Sequence, residues 1–416
     1  MDEIDQLLDP ARADVRIGFG LARAEYAHRS ANRAAAEQWA AIDETLDEAR
    51  CSPDVYVEPR FDLRPAERTE FAERAAAADL AVRLGLSEGT VRGQAADCAS
   101  LRTRLPRFWL AFGDGDVAVT NARYAAELVR SLPDERELSR QFDDALVGII
   151  DLAPVRFRIR ARVLRDRVHT VALIERTKAA AETRGVWIEN ELDGMAFLSL
   201  KLPADVAHRA FARIDGAARS LAIPADETRT LAQLRADVAG EVLLDGGATT
   251  GSATRVSVAV TVPVMTLLGC SDEPAILDGY GPIDADTARR LAAHAPSFTR
   301  LLTHPISSAL LDIDRATYRV PADLKRWLEI TDVMCSFPGC GRLARNSDLD
   351  HTVDHQFGGA TRADNLAHLC RHHHRLKHMT KWSVRANVEA AGRKLTPRVT
   401  WTSPTGYERD ADPPPF

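Results

Sequence analysis

The sequence predicts a multi-domain protein, mainly α with a small β-sheet in its N-terminal part, closed by a C-terminal module that zinc holds together. Three observations carry this. Apolar residues recur at helical spacing, broken by Pro and Gly, through most of the first 184 residues. From Val186 the pattern changes to alternation around Asp193-Gly194, a strong hairpin signal. Between Cys335 and His378 lie three of the six cysteines and seven of the twelve histidines. At 416 residues the chain has room for two or three domains with good cores.

Taken in order, Val15 to Ala49 reads as one long Ala-rich helix with Ile17, Leu21, Ala24, His28, Ala35 and Trp39 on one face. Pro53 and Pro59 bound a loop, and a second helix starts near Pro65. Gly85, the capping Ser87 and the apolar Val91 then resemble the turn of a helix-turn-helix, a device that reads DNA in some proteins and only packs two helices in others. Leu105-Pro106 and Leu132-Pro133 bracket a further helix. After Pro154, Val155 to Val163 alternates like a strand, while the flanking residues favour a helix, so both assignments stay open. The six arginines from Arg156 to Arg167 read as a solvated face, with a phosphate-facing surface as the other reading.

The hairpin of Val186 to Leu200 is followed by helices near 204–221 and 226–244. The Val/Thr run from Thr254 to Val262 is expected to pair with that hairpin. Ala275 to Ile283 is a Gly-rich turn, its glycines lacking phosphate-loop order, and a helix covers Asp284 to Ala293. The expected domains are 10–300, mostly helical; 301–330, a connector in which Tyr318 and Trp327 anchor packing; 331–402, the Cys/His module, closed by strands at Trp382–Val384 and Val399–Trp401; and 403–416, a disordered tail.

Within the module, Cys335 and Cys340 form a C-x4-C turn, and Cys370 with His373 forms a C-x2-H turn some thirty residues on. Two close pairs of soft or borderline donors suit a tetrahedral, structural Zn²⁺.

The residues between and after those pairs, Asp350-His351, Asn365 and His374, resemble the HNH endonuclease family. Its ββα-metal motif places Asp-His on a first strand, Asn beyond a loop, and His on the following helix. Where members often close with C-x2-C-H-x2-K, this chain reads Cys370-Arg371-His372-His373-His374-Arg375-Leu376-Lys377, so His373 stands at a common cysteine position. Histidine ligates zinc as well. The resemblance implies an endonuclease hydrolysing DNA phosphodiesters. His351 would be the general base and Asn365 the residue that holds the loop and orients His351. Asp350 and His374 would hold a divalent metal, Mg²⁺ or Mn²⁺. Lys377 would meet a substrate phosphate. His378, four residues after His374, shares its helical face and either joins the metal or is solvated; His355 is a phosphate contact or outer ligand, and His368 and His372 are solvent-facing or locally packed.

Net charge is −6, unusual for a dedicated nucleic-acid binder. Charge is uneven, however: from Arg371 to Thr400 there are eight Lys or Arg, including Arg371, Arg375, Lys377 and Lys381, against Glu389 alone. That basic field beside the motif is where a polyanion such as DNA would lie. No apolar run of about eighteen residues suggests a membrane span, and the acidic N-terminus lacks an export signal, so the expected location is cytoplasmic. Cys51, Cys98 and Cys270 read as free thiols of a reducing compartment.

The order of helix-turn-helix-like segment, Asp193-Gly194-Met195 hairpin, Gly279-Tyr280-Gly281-Pro282-Ile283 turn and Cys-x-Phe-Pro-Gly-Cys opening is also similar to the actinobacterial thirteen-E-twelve repeat family. Those proteins join a helical domain of unknown function to a C-terminal HNH domain. The competing expectation is a non-catalytic nucleic-acid-binding or regulatory protein in which the zinc module is only a folding core; an RNA nuclease or toxin-like effector shares the chemistry. A homodimer would permit double-strand cuts.

Overall fold

The computed structural model describes residues 13–191, 193–223, 227–245, 260–277, 280–293, 320, 322–353, 359, 361–387 and 399–412. The chain forms two compact units, one from residues 1–170 with 301–415 and the other from 171–300. No helix among the described residues is long and apolar enough to cross a membrane.

Helix α1 (Ala13–Cys51) buries a face only from Asn32 onward, through Ala36, Trp39, Ile42, Leu46 and Ala49. Its first half stands exposed, Ile17 and Leu21 included, so the apolar face expected from Val15 is core only in its second half. Helix α2 (Pro65–Leu84) starts at a proline, which lacks the N–H that a first turn leaves unbonded. It ends on Gly85, whose φ of 65° suits a residue without a side chain. Ser87 accepts from the Thr90 amide at 3.0 Å and caps α3 (Glu88–Arg104).

The bracket from Leu105 to Leu132 holds two helices, α4 (Pro106–Gly113) and α5 (Val119–Arg130), rather than one. Gly115 makes the break: its φ is 86°, and a Cβ there would strike the Arg29 carbonyl. Helices α6 (Arg136–Val147) and α7 (Pro154–Val168) follow, and α7 settles the Val155–Val163 segment as helix. Its alternation misled because only Phe157 and Ala161, four apart, are buried.

The second unit begins with α8 (Leu173–Ala181) and the antiparallel hairpin β1 (Gly185–Asn190) and β2 (Ala196–Lys201). Asp193 and Gly194 turn it at φ 56° and 79°, as the Asp-Gly pair requires. Helices α9 (Ala204–Leu221) and α10 (Leu231–Asp245) close on Ala218, Leu234 and Val238. Strand β3 (Val260–Thr261), helix α11 (Val264–Leu267), β4 (Ala275–Leu277), β5 (Gly281–Ile283) and α12 (Ala285–Ala293) complete it. The described end of the Val/Thr run pairs with β4 and not with the hairpin; 254–259 lie outside the described residues.

Back in the first unit, α13 (Ala322–Asp332) leads to β6 (Asp348–His351), antiparallel to β7 (Leu366–Leu369), then α14 (Arg371–Met379). Strands β8 (Ser383–Ala386), β9 (Val399–Thr402) and β10 (Glu408–Asp410) form a sheet in the order β10-β9-β8. The expected disordered tail is therefore corrected over 403–412. Tyr407 lies under Arg83, Thr405 bonds Asp79, and Ala411 is buried, so the segment has both sheet partners and a core. Tyr318 and the Trp327 side chain lie outside the described residues.

The Cys/His module and α2 share one core. Phe337 stacks on His373 at 4.0 Å and meets Trp382 and Trp401 edge-on, and this cluster continues into Phe71 and Ala75 of α2. Trp382 Nε1 donates to the Ala75 carbonyl at 3.2 Å. The boundary expected from sequence, 10–300 against 331–402, cuts across this core.

Candidate metal centre

Two ligand clusters flank α14. The first joins Cys335, Cys340, Cys370 and His373, with one donor atom from each lying within 4.8 Å of the others. Cys335 and Cys340 sit on a turn closed by the Cys340 N–H to the Phe337 carbonyl, with Gly339 at φ 74°. Cys370 caps α14, and His373 follows one turn later. His373 Nδ1 is 3.4 Å from Cys335 Sγ and 3.2 Å from Cys370 Sγ. A zinc tetrahedron with ordinary bond lengths has S···N edges of about 3.6 Å, so the four donors fit that ion. The Cys370 amide donates to Cys335 Sγ at 3.3 Å, a contact that favours thiolate. Hydrogen bonding with Cys340 and Cys370, then burial, pushes the Cys335 thiol up, whereas bonds from Cys335 and Cys340 pull Cys370 down. Only a cation lets all three sulfurs ionise together.

The second cluster is Asp350, His374 and His378. Asp350 Oδ1 is 3.6 Å from His374 Nε2, and Oδ2 is 3.5 Å from His378 Nε2. These spacings are a little wider than the roughly 3 Å between adjacent ligands of an octahedral Mg²⁺ site. The carboxylate donor suits Mg²⁺ or Mn²⁺, while the two imidazoles suit Zn²⁺, Fe²⁺ or Ni²⁺. His378 thus lies beside Asp350, within reach of any ion held there. Lys377 Nζ is 2.8 Å from Asp350 Oδ2 and also bonds the His351 carbonyl. Burial alone would raise the Asp350 carboxyl, but bonds from His378 and Lys377 outweigh it and hold it at about 2.

His351 ends β6 and is buried, its Nε2 3.1 Å from Thr361 Oγ1. Asn365 takes the next two residues. Its Oδ1 accepts from Thr352 Oγ1 at 2.6 Å and from the Val353 amide at 2.8 Å, and its Nδ2 donates to the Val353 carbonyl at 3.0 Å. Gly359 crosses so closely that a Cβ would overlap the Val353 carbonyl. Thr352 and Val353, directly after His351, are thereby clamped, and the His351 ring lies against Thr361. His355 lies outside the described residues.

A family model described as "Domain of unknown function (DUF222)" matches residues 26–332, about three quarters of the chain. The chain belongs to the DUF222 family. The match ends three residues before Cys335, so both ligand clusters lie beyond the DUF222 region. Two uncharacterized proteins of Mycobacterium tuberculosis strain H37Rv are similar. Rv3776 is 30% identical over 139 residues, 33% of this chain and 24% of the relative. Rv2100 is 34% identical over 96 residues, 23% of this chain and 16% of the relative. The chain therefore matches a quarter or less of the length of these relatives. No solved structure matches.

Sequence reading missed Glu88, the residue by which the DUF222 region grips the Cys/His cluster. Its carboxylate accepts from His373 Nε2 at 2.6 Å and His372 Nε2 at 2.9 Å. A carboxylate behind a ligating histidine fixes which ring nitrogen faces the metal. Burial would raise Glu88, but the bonds from His372 and His373 hold it at about 2. The first turn of α3, which a DNA-reading helix would offer to a groove, is instead packed on the module. The sequence signal was a capped Ser87-Glu88 start; its partner is 285 residues away.

His372 is half-buried between Glu88 and Arg74, and His368 is fully buried with Nδ1 2.9 Å from Asp332, so of their two sequence readings both take local packing. Lys377, expected to meet a substrate phosphate, is paired with Asp350. Lys381 donates to the Asp54 carbonyl at 2.6 Å and is exposed, as Arg371 and Arg375 are.

Proposed function

We propose that the chain is a metal-dependent HNH endonuclease that hydrolyses DNA phosphodiester bonds, with His351 as general base. The observation that supports this best is the convergence of Asp350 with His374 and His378 beside His351, on a strand pair followed by a helix. Asp350 and His374, with His378, would hold a divalent ion, Mg²⁺ or Mn²⁺, which when bound supplies Lewis-acid stabilisation of charge on the phosphate and the leaving oxygen. His351, with its Nε2 beside Thr361 Oγ1, would take the proton of the attacking water on its imidazole. The water oxygen bonds to phosphorus, and the bond from phosphorus to the 3′ oxygen breaks. Asn365 fixes the loop that carries the base, and the zinc quartet, with Zn²⁺, holds α14 in register with β6.

The test is incubation of labelled DNA and RNA oligonucleotides with wild type and His351→Ala in Mg²⁺ or Mn²⁺, followed by end analysis. DNA fragments with 5′-phosphate and 3′-hydroxyl ends from wild type alone support the reading; RNA-only cutting would move the substrate, and equal cutting by both proteins would remove His351. One contact favours the alternative, a non-catalytic nucleic-acid-binding or regulatory protein: Lys377 already neutralises Asp350. DNA retention without cutting in any metal would support that alternative.

A further inference from the structure

We infer that a cavity beside the zinc cluster is a binding pocket for a phosphate group of a nucleic-acid backbone. The cavity, about 340 Å³, is lined by Arg74 of α2, Arg342 and Asn346 ahead of β6, and Cys370, Arg371, His372 and Arg375 of α14. Four arginines line it, and no Asp or Glu does.

Like charges gathered around one cavity repel, and other arginines of this chain, such as Arg50, Arg83, Arg92 and Arg130, are paired with acids. Arg342 and Arg371 have no carboxylate partner among the described residues. Two of the four are held in place by packing: Arg74 and Arg375 lie over the Phe71 ring at 5.6 and 5.1 Å. Arg74 is also tied to Glu70 at 3.4 Å and to His372 Nδ1 at 2.5 Å. Such fixed planar forks lose little freedom on meeting a phosphate. The Asn346 amide adds a neutral donor, and α14 begins at Arg371, so its first turn directs N–H groups and the positive end of its dipole the same way. Arg371 and Arg375 occupy the helical face next to that of His374 and His378, so a backbone crossing the Asp350 cluster runs toward the pocket.

The backbone as the source of this phosphate rests on the nucleic-acid reading above; the pocket chemistry is shared by free phosphate. The test uses the zinc-loaded full chain without added Mg²⁺ or Mn²⁺. Anisotropy of a fluorescent DNA duplex is titrated across several KCl concentrations, with calorimetry against inorganic phosphate alongside. Arg342→Gln/Arg371→Gln is expected to bind DNA at least tenfold more weakly, with the log–log salt slope reduced by about two. Zinc content and circular dichroism should match wild type, and the exposed pair Arg23→Gln/Arg136→Gln, equal in charge change, should keep the wild-type slope. An unchanged slope in the first variant overturns the inference. Phosphate binding lost in that variant while DNA binding is unaffected overturns the backbone assignment in favour of a free phosphate. A reduced slope in a protein that cuts nothing in any metal supports the pocket while removing the nuclease reading.

Discussion

At the scale of single residues, Glu88 and Asn365 make the sharpest claims. Glu88 is nearly buried and held at about 2, below the usual 4.5. A depressed carboxylate stabilises the fold fully above about pH 4.5, and that contribution is lost as pH falls toward 2. The difference is worth roughly 3 kcal/mol. Denaturant titrations of Glu88→Gln should therefore show lower stability than wild type at pH 7 and a flatter acid limb between pH 4.5 and 2. Competition against a zinc chelator should also show affinity falling by about tenfold. Asn365→Ala removes three bonds to Thr352 and Val353; the expected cost is about 1 kcal/mol in chemical denaturation, because the site is partly exposed. Any DNA cleavage should fall far more, as the loop after His351 loosens. The cysteines, Asp350, His351 and Asn365 were legible because metal and loop-clamp chemistry restricts residue types. Glu88 was not, because a common helix-start acid carries no mark of a distant partner.

At the scale of elements, sequence resolved what local rules govern. Pro65, Gly85 and Ser87 bound α2 and α3, and Asp193-Gly194 turns the hairpin. It failed where a tertiary contact decides: the α4–α5 break at Gly115 depends on the approach to Arg29, and β3 chose β4 over the hairpin. The composition of 403–416 suggested disorder, yet β10 pairs with β9 and Arg83 covers Tyr407. Truncation after Thr402 is expected to lower the melting temperature by several degrees, measured by circular dichroism, since it leaves β9 without one neighbour and uncovers α2. A tail that only adds length would leave melting unchanged.

At the scale of the molecule, the Cys/His module is not an appendage, since Phe337, Trp382 and Trp401 build a core together with α2. Removing zinc with a strong chelator is therefore expected to red-shift tryptophan emission and to reduce the helical signal of α2 along with the module. Loss confined to the module would argue for separate folding. This joint core was invisible in the sequence because residues 71–82 and 335–411 are each plausible cores alone. In the proposed function, His351 and the Asp350 cluster cut DNA. Supercoiled plasmid should be incubated with zinc-loaded wild type and His351→Ala in Mg²⁺, Mn²⁺ or EDTA. The expected result is nicking or linearisation by wild type only, abolished by EDTA. Intact plasmid in every metal, or equal cutting by the two proteins, would contradict it.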